Sequence, residues 1–281
     1  MQRPDWMKIR YIDTPNTDAV EKILKNLNLN TVCREANCPN YMECFSKKTA
    51  TFMILGTDCT RDCRFCNVTH AIPVEPDADE PRNVALAVKE LGLQYVVVTS
   101  VTRDDLPDGG AEHFAKTIRA IREISPNTAI EVLIPDFQGN LNALACVIYA
   151  QPCVISHNME TVKSLYAEVR PQAAYERSLK VIENIKKLDA NINSKSGIMV
   201  GLGETKEQIY ELFDDLRSVG CEFLTVGQYL APSKLHVPIK EYIEPSVFDE
   251  YKEIAIAKGF AFVASAPFVR SSYHAGEALG R

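Results

Sequence analysis

Six of the nine cysteines in this 281-residue chain crowd into residues 33–66. They form two triplets, Cys33, Cys38 and Cys44 with spacing CxxxxCxxxxxC, and Cys59, Cys63 and Cys66 with spacing CxxxCxxC. Cysteines this close serve either disulfides or metal. The start, Met1-Gln2-Arg3-Pro4-Asp5-Trp6, lacks the apolar stretch of a secretion signal, so the thiols are expected to stay reduced, as in a cytoplasmic protein, and ligation is the stronger reading. A structural zinc ion asks for four protein ligands, usually from two separated CxxC-like pairs, and neither triplet has a fourth cysteine nearby. Three close thiolates suit three corners of a [4Fe–4S] cubane instead, because a short loop wraps a cluster of several irons more easily than one tetrahedral ion. The other three, Cys146, Cys153 and Cys221, lie in apolar segments and are expected to be small buried hydrophobes.

Charge narrows the possible partners. The net charge of −6 and pI near 5.5 leave no electrostatic footprint for nucleic acid, and the 31 Lys and Arg residues form no basic run. No apolar segment reaches the ~18 residues of a membrane span. A partner that is neither nucleic acid nor membrane is expected.

The second triplet, Cys59-Thr60-Arg61-Asp62-Cys63-Arg64-Phe65-Cys66, resembles the CxxxCxΦC motif of the radical S-adenosylmethionine (SAM) superfamily, with Phe65 as the aromatic Φ. The resemblance implies that the open iron chelates the amino and carboxylate groups of SAM, and that the reduced cluster cleaves the sulfonium to a 5′-deoxyadenosyl radical. The first triplet resembles the auxiliary-cluster motif of the lipoyl synthases, whose fourth ligand is a serine in a C-terminal RSSYHA segment. Here that segment reads Arg270-Ser271-Ser272-Tyr273-His274-Ala275, and the match by residue picks Ser272 over Ser271. Family-like stretches run from about Thr31 to Ala275, among them Thr99 to Gly110 and His157-Asn158-Met159-Glu160-Thr161. Arg34, Phe45 and Ala266 depart from the pattern, where an acid, a tryptophan and a glycine are common; none is a ligand.

The resemblance further implies two [4Fe–4S] clusters and SAM as cofactors, and two sulfur atoms inserted at C6 and C8 of an octanoyl chain with the auxiliary cluster as donor. The chain would be held on a lipoyl carrier protein, either the glycine cleavage H protein or the lipoyl domain of a 2-oxoacid dehydrogenase E2. Electrons would come from a donor such as ferredoxin or flavodoxin. Contacts to SAM are expected from Phe65, Thr99, Ser100, Gly109, Gly110, Glu131, Asn158 and Arg170. On the residues alone, Gly109 and Gly110 read equally as a loop turn, and Glu131, Asn158 and Arg170 equally as structural hydrogen-bond or ion-pair partners. His70, His113 and His236 stand isolated with no chemistry assigned, and His274 adjoins the serine motif as support or packing. Two other classes compete: a radical enzyme with an auxiliary cluster that methylthiolates transfer RNA or resembles biotin synthase, and a noncatalytic iron–sulfur carrier. Cleavage of SAM under a strong reductant separates the carrier from both enzymes.

The cysteines need elements to hold them. Apolar runs at Thr51–Leu55, Tyr95–Thr99, Ala129–Ile134, Cys153–Ser156, Gly197–Val200, Phe223–Val226 and Phe260–Val263 read as buried parallel strands, with helical patterns between them. Thr205 and Gln208 form a capping box before Ile209, Leu212, Phe213 and Leu216, and Gly220 can end that helix; Phe114, Ile118 and Ile121 align over Glu112–Ile124. The βα alternation predicts an α/β fold, a parallel barrel or a doubly wound sheet. The resemblance favours a partial (β/α)6 TIM-like barrel, with residues 51–227 as the radical SAM core. Residues 1–50 and 228–281 would be N- and C-terminal extensions over the barrel mouth. The second triplet then falls in the first βα loop, where barrel enzymes keep their active sites.

Overall fold

The computed structural model describes residues 3–9 and 14–280. The chain divides into two compact units. One holds residues 14–61, Asn67–Ile155 and 274–280; the other holds residues 3–9, Asp62–Cys66 and Ser156–Tyr273.

In the first unit, helix α1 (Pro15–Asn26) opens with proline, whose missing N–H has no helical partner to lose there. Strand β1 (Asn30–Thr31), the short helices α2 (Val32–Glu35) and α3 (Tyr41–Ser46), and strand β2 (Thr51–Ile54) follow. Next come the two-residue strands β3 (Asp58–Cys59) and β4 (Thr69–His70), then α4 (Glu80–Leu91), β5 (Tyr95–Ser100), α5 (Ala111–Ile124), β6 (Ala129–Leu133) and α6 (Leu141–Tyr149). The main strands run in the order β1-β2-β5-β6, antiparallel only between β1 and β2. Strand β2 is buried along its whole length, as parallel strands covered on both faces are. Phe114, Ile118 and Ile121 of α5 are fully buried on the face that their spacing predicts. At about 1.5–3 kcal/mol for each large apolar side chain, that face rather than helix propensity holds α5 in place.

The division falls in β7 (Val154–Ser156). The second unit contains α7 (Tyr166–Val169), α8 (Tyr175–Leu188), β8 (Asn193–Val200), α9 (Lys206–Ser218), β9 (Phe223–Gln228), α10 (Pro245–Ala257) and β10 (Phe262–Ser265), with β8, β9 and β10 adjacent and parallel. The capping box of α9 is formed: Gln208 N donates to Thr205 Oγ1 at 3.4 Å, and Thr205 N donates to Gln208 Oε1 at 3.0 Å. Gly220, at φ +80°, ends the helix by letting Cys221 N reach back to Leu216 O at 3.0 Å. Phe213 sits at the centre of this unit's core, edge-on to both Tyr251 and Phe260.

Each apolar run read as a strand is one. Strand β8 begins at Asn193 rather than Gly197, because Ser194, Lys195 and Ser196 are buried although polar. Strand β10 begins at Phe262 rather than Phe260, since Phe260 N donates to Ala255 O and so closes the end of α10. Of the scattered cysteines only Cys221 lies fully in the core, where burial pushes its thiol up to about 12. Cys146 and Cys153 are half-buried. Burial and the Glu112 carboxylate, 3.2 Å from the Cys146 sulfur, raise that thiol to about 11. Among the described residues no helix is long and apolar enough to cross a membrane.

Candidate functional site

The loop that carries the second triplet leaves the C-terminal end of β2, and β3 and β4 pair at its base, Cys59 opposite His70. In the first unit Thr60 donates twice to Thr102 O, from its amide and its hydroxyl, at 3.0 Å each. The Cys59 sulfur accepts the amides of Thr102 at 3.3 Å and Arg61 at 3.5 Å. Arg61 itself is buried. Its Nε and Nη2 bind both oxygens of Asp104 at 2.6 and 2.8 Å, and Nη2 also reaches Asp136 at 2.7 Å. Burial alone would lower the guanidinium's pKa, but hydrogen bonds to the two carboxylates more than reverse this and hold it above its ordinary value. Removing one partner of such a buried pair costs about 3–5 kcal/mol.

The rest of the loop belongs to the second unit. There Asp62 N donates to Gln172 Oε1 at 2.6 Å, Arg64 N to Val169 O at 3.0 Å, and Val237 N to Arg64 O at 3.0 Å. Phe65, half-buried, packs against the apolar cluster of Val169, Leu202, Tyr229 and Val237. Two histidines that stand isolated in the sequence touch cysteines of the second triplet. The His236 ring donates from Nε2 to Cys66 O at 3.0 Å in this unit, and in the first unit His70 Nδ1 lies 3.2 Å from Cys59 O. Their isolation in sequence conceals this, because His236 and Cys66 are 170 residues apart.

The first triplet sits on short elements. Cys33 lies in α2 and Cys44 in α3, and Cys38 N donates to Cys33 O at 3.1 Å. Burial first, then Cys33 and Cys38, push the Cys44 thiol up to about 12. Around them the polar ties are mostly exposed: Arg34 pairs with Glu21 and Lys47 with Glu43 at 2.7 Å, and a His274 ring nitrogen lies 3.5 Å from Glu43. The last contact brings the end of the RSSYHA segment to the helix that bears Cys44. Of the departures from the family pattern, Arg34 gains Glu21, and Phe45 is fully buried against Tyr41 with ring centroids 4.4 Å apart.

The residues expected to contact SAM fall at strand ends and in the loops beyond them. Thr99 Oγ1 donates to Leu133 O at 3.1 Å, while the buried Ser100 hydroxyl at the end of β5 has no protein partner, which suits a bound polar group. Gly109 and Gly110 form the turn into α5: Gly110 is at φ +88°, and a Cβ there would lie 2.3 Å from Leu55 Cδ1. Glu131 is buried and accepts from the Tyr95 hydroxyl at 2.5 Å. In the second unit Asn158 donates to Glu160 at 2.9 Å and accepts from the Ser271 hydroxyl at 3.0 Å, and Arg170 Nη1 donates to Asn158 O at 2.8 Å. Glu160, at φ +66°, has its carboxyl raised by burial even with Arg170 and Arg270 nearby; in the sequence nothing but its place in a family-like stretch singles it out. Ser272 is half-buried.

All nine cysteines are free thiols, and among the described residues no three Cys, His, Asp or Glu side chains converge as the ligand set of one ion. The donor chemistry fits iron–sulfur clusters: soft sulfur donors in two closely spaced triplets, one of them presenting a sulfur with amide donors.

The family model of the Radical SAM superfamily matches residues 53–216. Solved structures agree in fold. Methylornithine synthase aligns with TM-score 0.54 at 12% identity over 93% of this chain and 81% of that one. Coproporphyrinogen III oxidase from Escherichia coli aligns with TM-score 0.54 at 12% identity over 73% of this chain and 51% of that one. The architecture is thus that of the radical SAM enzymes, an α/β partial (β/α)6 TIM-like barrel. Closer relatives narrow the class. Lipoyl synthase of Alkaliphilus metalliredigens is 58% identical over 99% of this chain and 96% of its own length. That of Caldicellulosiruptor saccharolyticus is 59% identical over 98% and 97%, and that of Geobacter metallireducens 52% over 100% and 99%. The chain belongs to the lipoyl synthase family.

Proposed function

We propose that Cys59, Cys63 and Cys66 hold the [4Fe–4S] cluster that binds SAM, and that Cys33, Cys38 and Cys44 with Ser272 hold the auxiliary one. The activity is that of a radical SAM sulfurtransferase, which inserts two sulfur atoms into a protein-bound octanoyl chain to form the lipoyl group. When bound, one cluster with SAM supplies an oxidant strong enough to take hydrogen from an aliphatic carbon, and the other supplies sulfide; acid–base side chains could do neither, since the carbon has no acidic proton or leaving group.

The residues of the chain position and exclude. Arg61 and the backbone of Thr60 and Arg64 fix the loop that would bind the cluster, Phe65 keeps its apolar side in the core, and Gly110 lets Leu55 close against the turn into α5. The Ser100 hydroxyl, with no protein partner, is set to bind a polar group of SAM. Thr99, Gly109, Glu131, Asn158 and Arg170 are assigned to the same cofactor, alongside the structural bonds they make. The extensions, 1–50 and 228–281, would cover the mouth of the 51–227 core so that water and stray hydrogen donors are kept from a reactive carbon. Serine oxygen is a harder ligand than thiolate, so its bond to iron would open more readily as sulfide leaves.

The finer partners are the glycine cleavage H protein or a 2-oxoacid dehydrogenase lipoyl domain as carrier, with ferredoxin or flavodoxin as electron donor and the cytoplasm as the setting. The observation that carries the reading is the pair of cysteine triplets, with His274, which follows the serine pair in sequence, 3.5 Å from Glu43 on the helix of Cys44. Mass spectrometry of an octanoyl-lysine peptide after anaerobic reaction with SAM and a strong reductant tests it. The peptide should gain two sulfur atoms, and an unchanged mass alongside SAM cleavage would reject the assignment.

A further inference from the structure

One side chain within the cluster loop fastens that loop to its neighbours. We infer that Arg61 is a positioning residue whose ion pairs fix the amide hydrogen bonds to the Cys59 sulfur, and through them the reduction potential of the cluster there. The inference rests on the ligand role proposed for Cys59. Arg61 lies beyond β2, Asp104 beyond β5 and Asp136 beyond β6, so a single guanidinium ties the loops at the C-terminal ends of three adjacent parallel strands. Its side chain is 4% exposed, that of Asp136 0% and that of Asp104 25%. The backbone follows this clamp: Asp104 N donates to Thr60 Oγ1 at 3.1 Å, and Thr60 N and Oγ1 donate to Thr102 O. In that register the Thr102 and Arg61 amides meet the Cys59 sulfur at 3.3 and 3.5 Å.

Amide donors on a ligand sulfur stabilise the added negative charge of a reduced cluster and raise its potential. The bare charge of the triad acts the other way, since one guanidinium with two carboxylates is net negative. Geometry and charge therefore predict opposite signs when a carboxylate is neutralised.

The test is a potentiometric EPR titration of the reconstituted full-length holoenzyme, following the cluster whose signal changes when SAM is added, in the natural chain and in Arg61→Lys and Asp104→Asn. Arg61→Lys keeps the charge but not the forked pairing. The ratio of reduced to oxidised cluster at fixed potential should fall roughly tenfold, equivalent to about 59 mV for a one-electron couple. Couplings to exchangeable protons in pulsed ENDOR should weaken with it. Asp104→Asn should also lower the potential, whereas charge alone would raise it. Should Arg61→Lys fail to retain iron, the sign in Asp104→Asn decides, because that side chain is partly exposed. Unchanged or raised potentials at full iron content overturn the inference. A natural enzyme with no SAM-responsive cluster, or one that keeps it in Cys59→Ala, would instead reject the ligand role of Cys59.

Discussion

The two cysteine triplets are held in different ways. The loop of Cys59, Cys63 and Cys66 is anchored by a buried guanidinium, by backbone bonds from Thr60 and Arg64, and by an aromatic side chain partly buried against a core cluster. Cys33 and Cys44 sit on helices of four and six residues with Cys38 between them, and although Phe45 beside them is buried, the polar ties of Lys47 and His274 to Glu43 are exposed. Buried, doubly paired groups have few alternative arrangements, whereas surface pairs exchange readily with water and contribute little. The contrast matches the two tasks proposed for the triplets. A cluster that must generate radicals repeatedly needs a fixed loop, and one that gives up its sulfide needs surroundings able to adapt as it shrinks.

The comparison breaks most easily at the ligands. Replacing Cys59, Cys63 and Cys66 together with alanine should abolish 5′-deoxyadenosine formation, measured by chromatography, while the auxiliary cluster's iron persists. Nucleoside formed at the natural rate would show that the fixed loop is not where radicals begin. A narrower effect is expected at the other site: Ser272→Ala should leave 5′-deoxyadenosine formation possible but block sulfur insertion, and Ser271→Ala, which loses a bond to Asn158, should keep more lipoyl product. Full product from Ser272→Ala would remove that ligand from the account.

Two stability measurements sharpen the contrast. Gly110→Ala places a methyl 2.3 Å from Leu55 Cδ1 at φ +88°, so chemical denaturation should show a loss of about 1–3 kcal/mol. Lys47→Ala removes only an exposed pair with Glu43 and should change stability by less than about 1 kcal/mol. Equal losses from the two would mean that both regions are equally rigid.

Much of this was legible in the sequence because it is written locally. Cysteine spacing lies within a few residues, the buried strands are apolar runs, and the capping box of α9 spans four residues, Thr205 to Gln208. What escaped is written at long range or in polar residues. Arg61 meets Asp104 and Asp136 across 43 and 75 residues, and nothing in CxxxCxxC marks it as buried. His236 reaches Cys66 through the fold alone. Ser194, Lys195 and Ser196 hid the start of β8 from a search for apolar residues. Cys146 and Cys153 look like core cysteines in an apolar segment, yet are only half-buried.

The central claim is that the adaptable triplet supplies the sulfur while the fixed loop endures. It is tested most directly by reconstituting the enzyme with isotopically heavy sulfide and running the anaerobic reaction on an octanoyl-lysine peptide with no repair system. Heavy sulfur should appear in the lipoyl product, formation should stop once the auxiliary clusters are spent, and the SAM-responsive cluster should remain. Product free of the heavy isotope, or turnover that continues without repair, would contradict it.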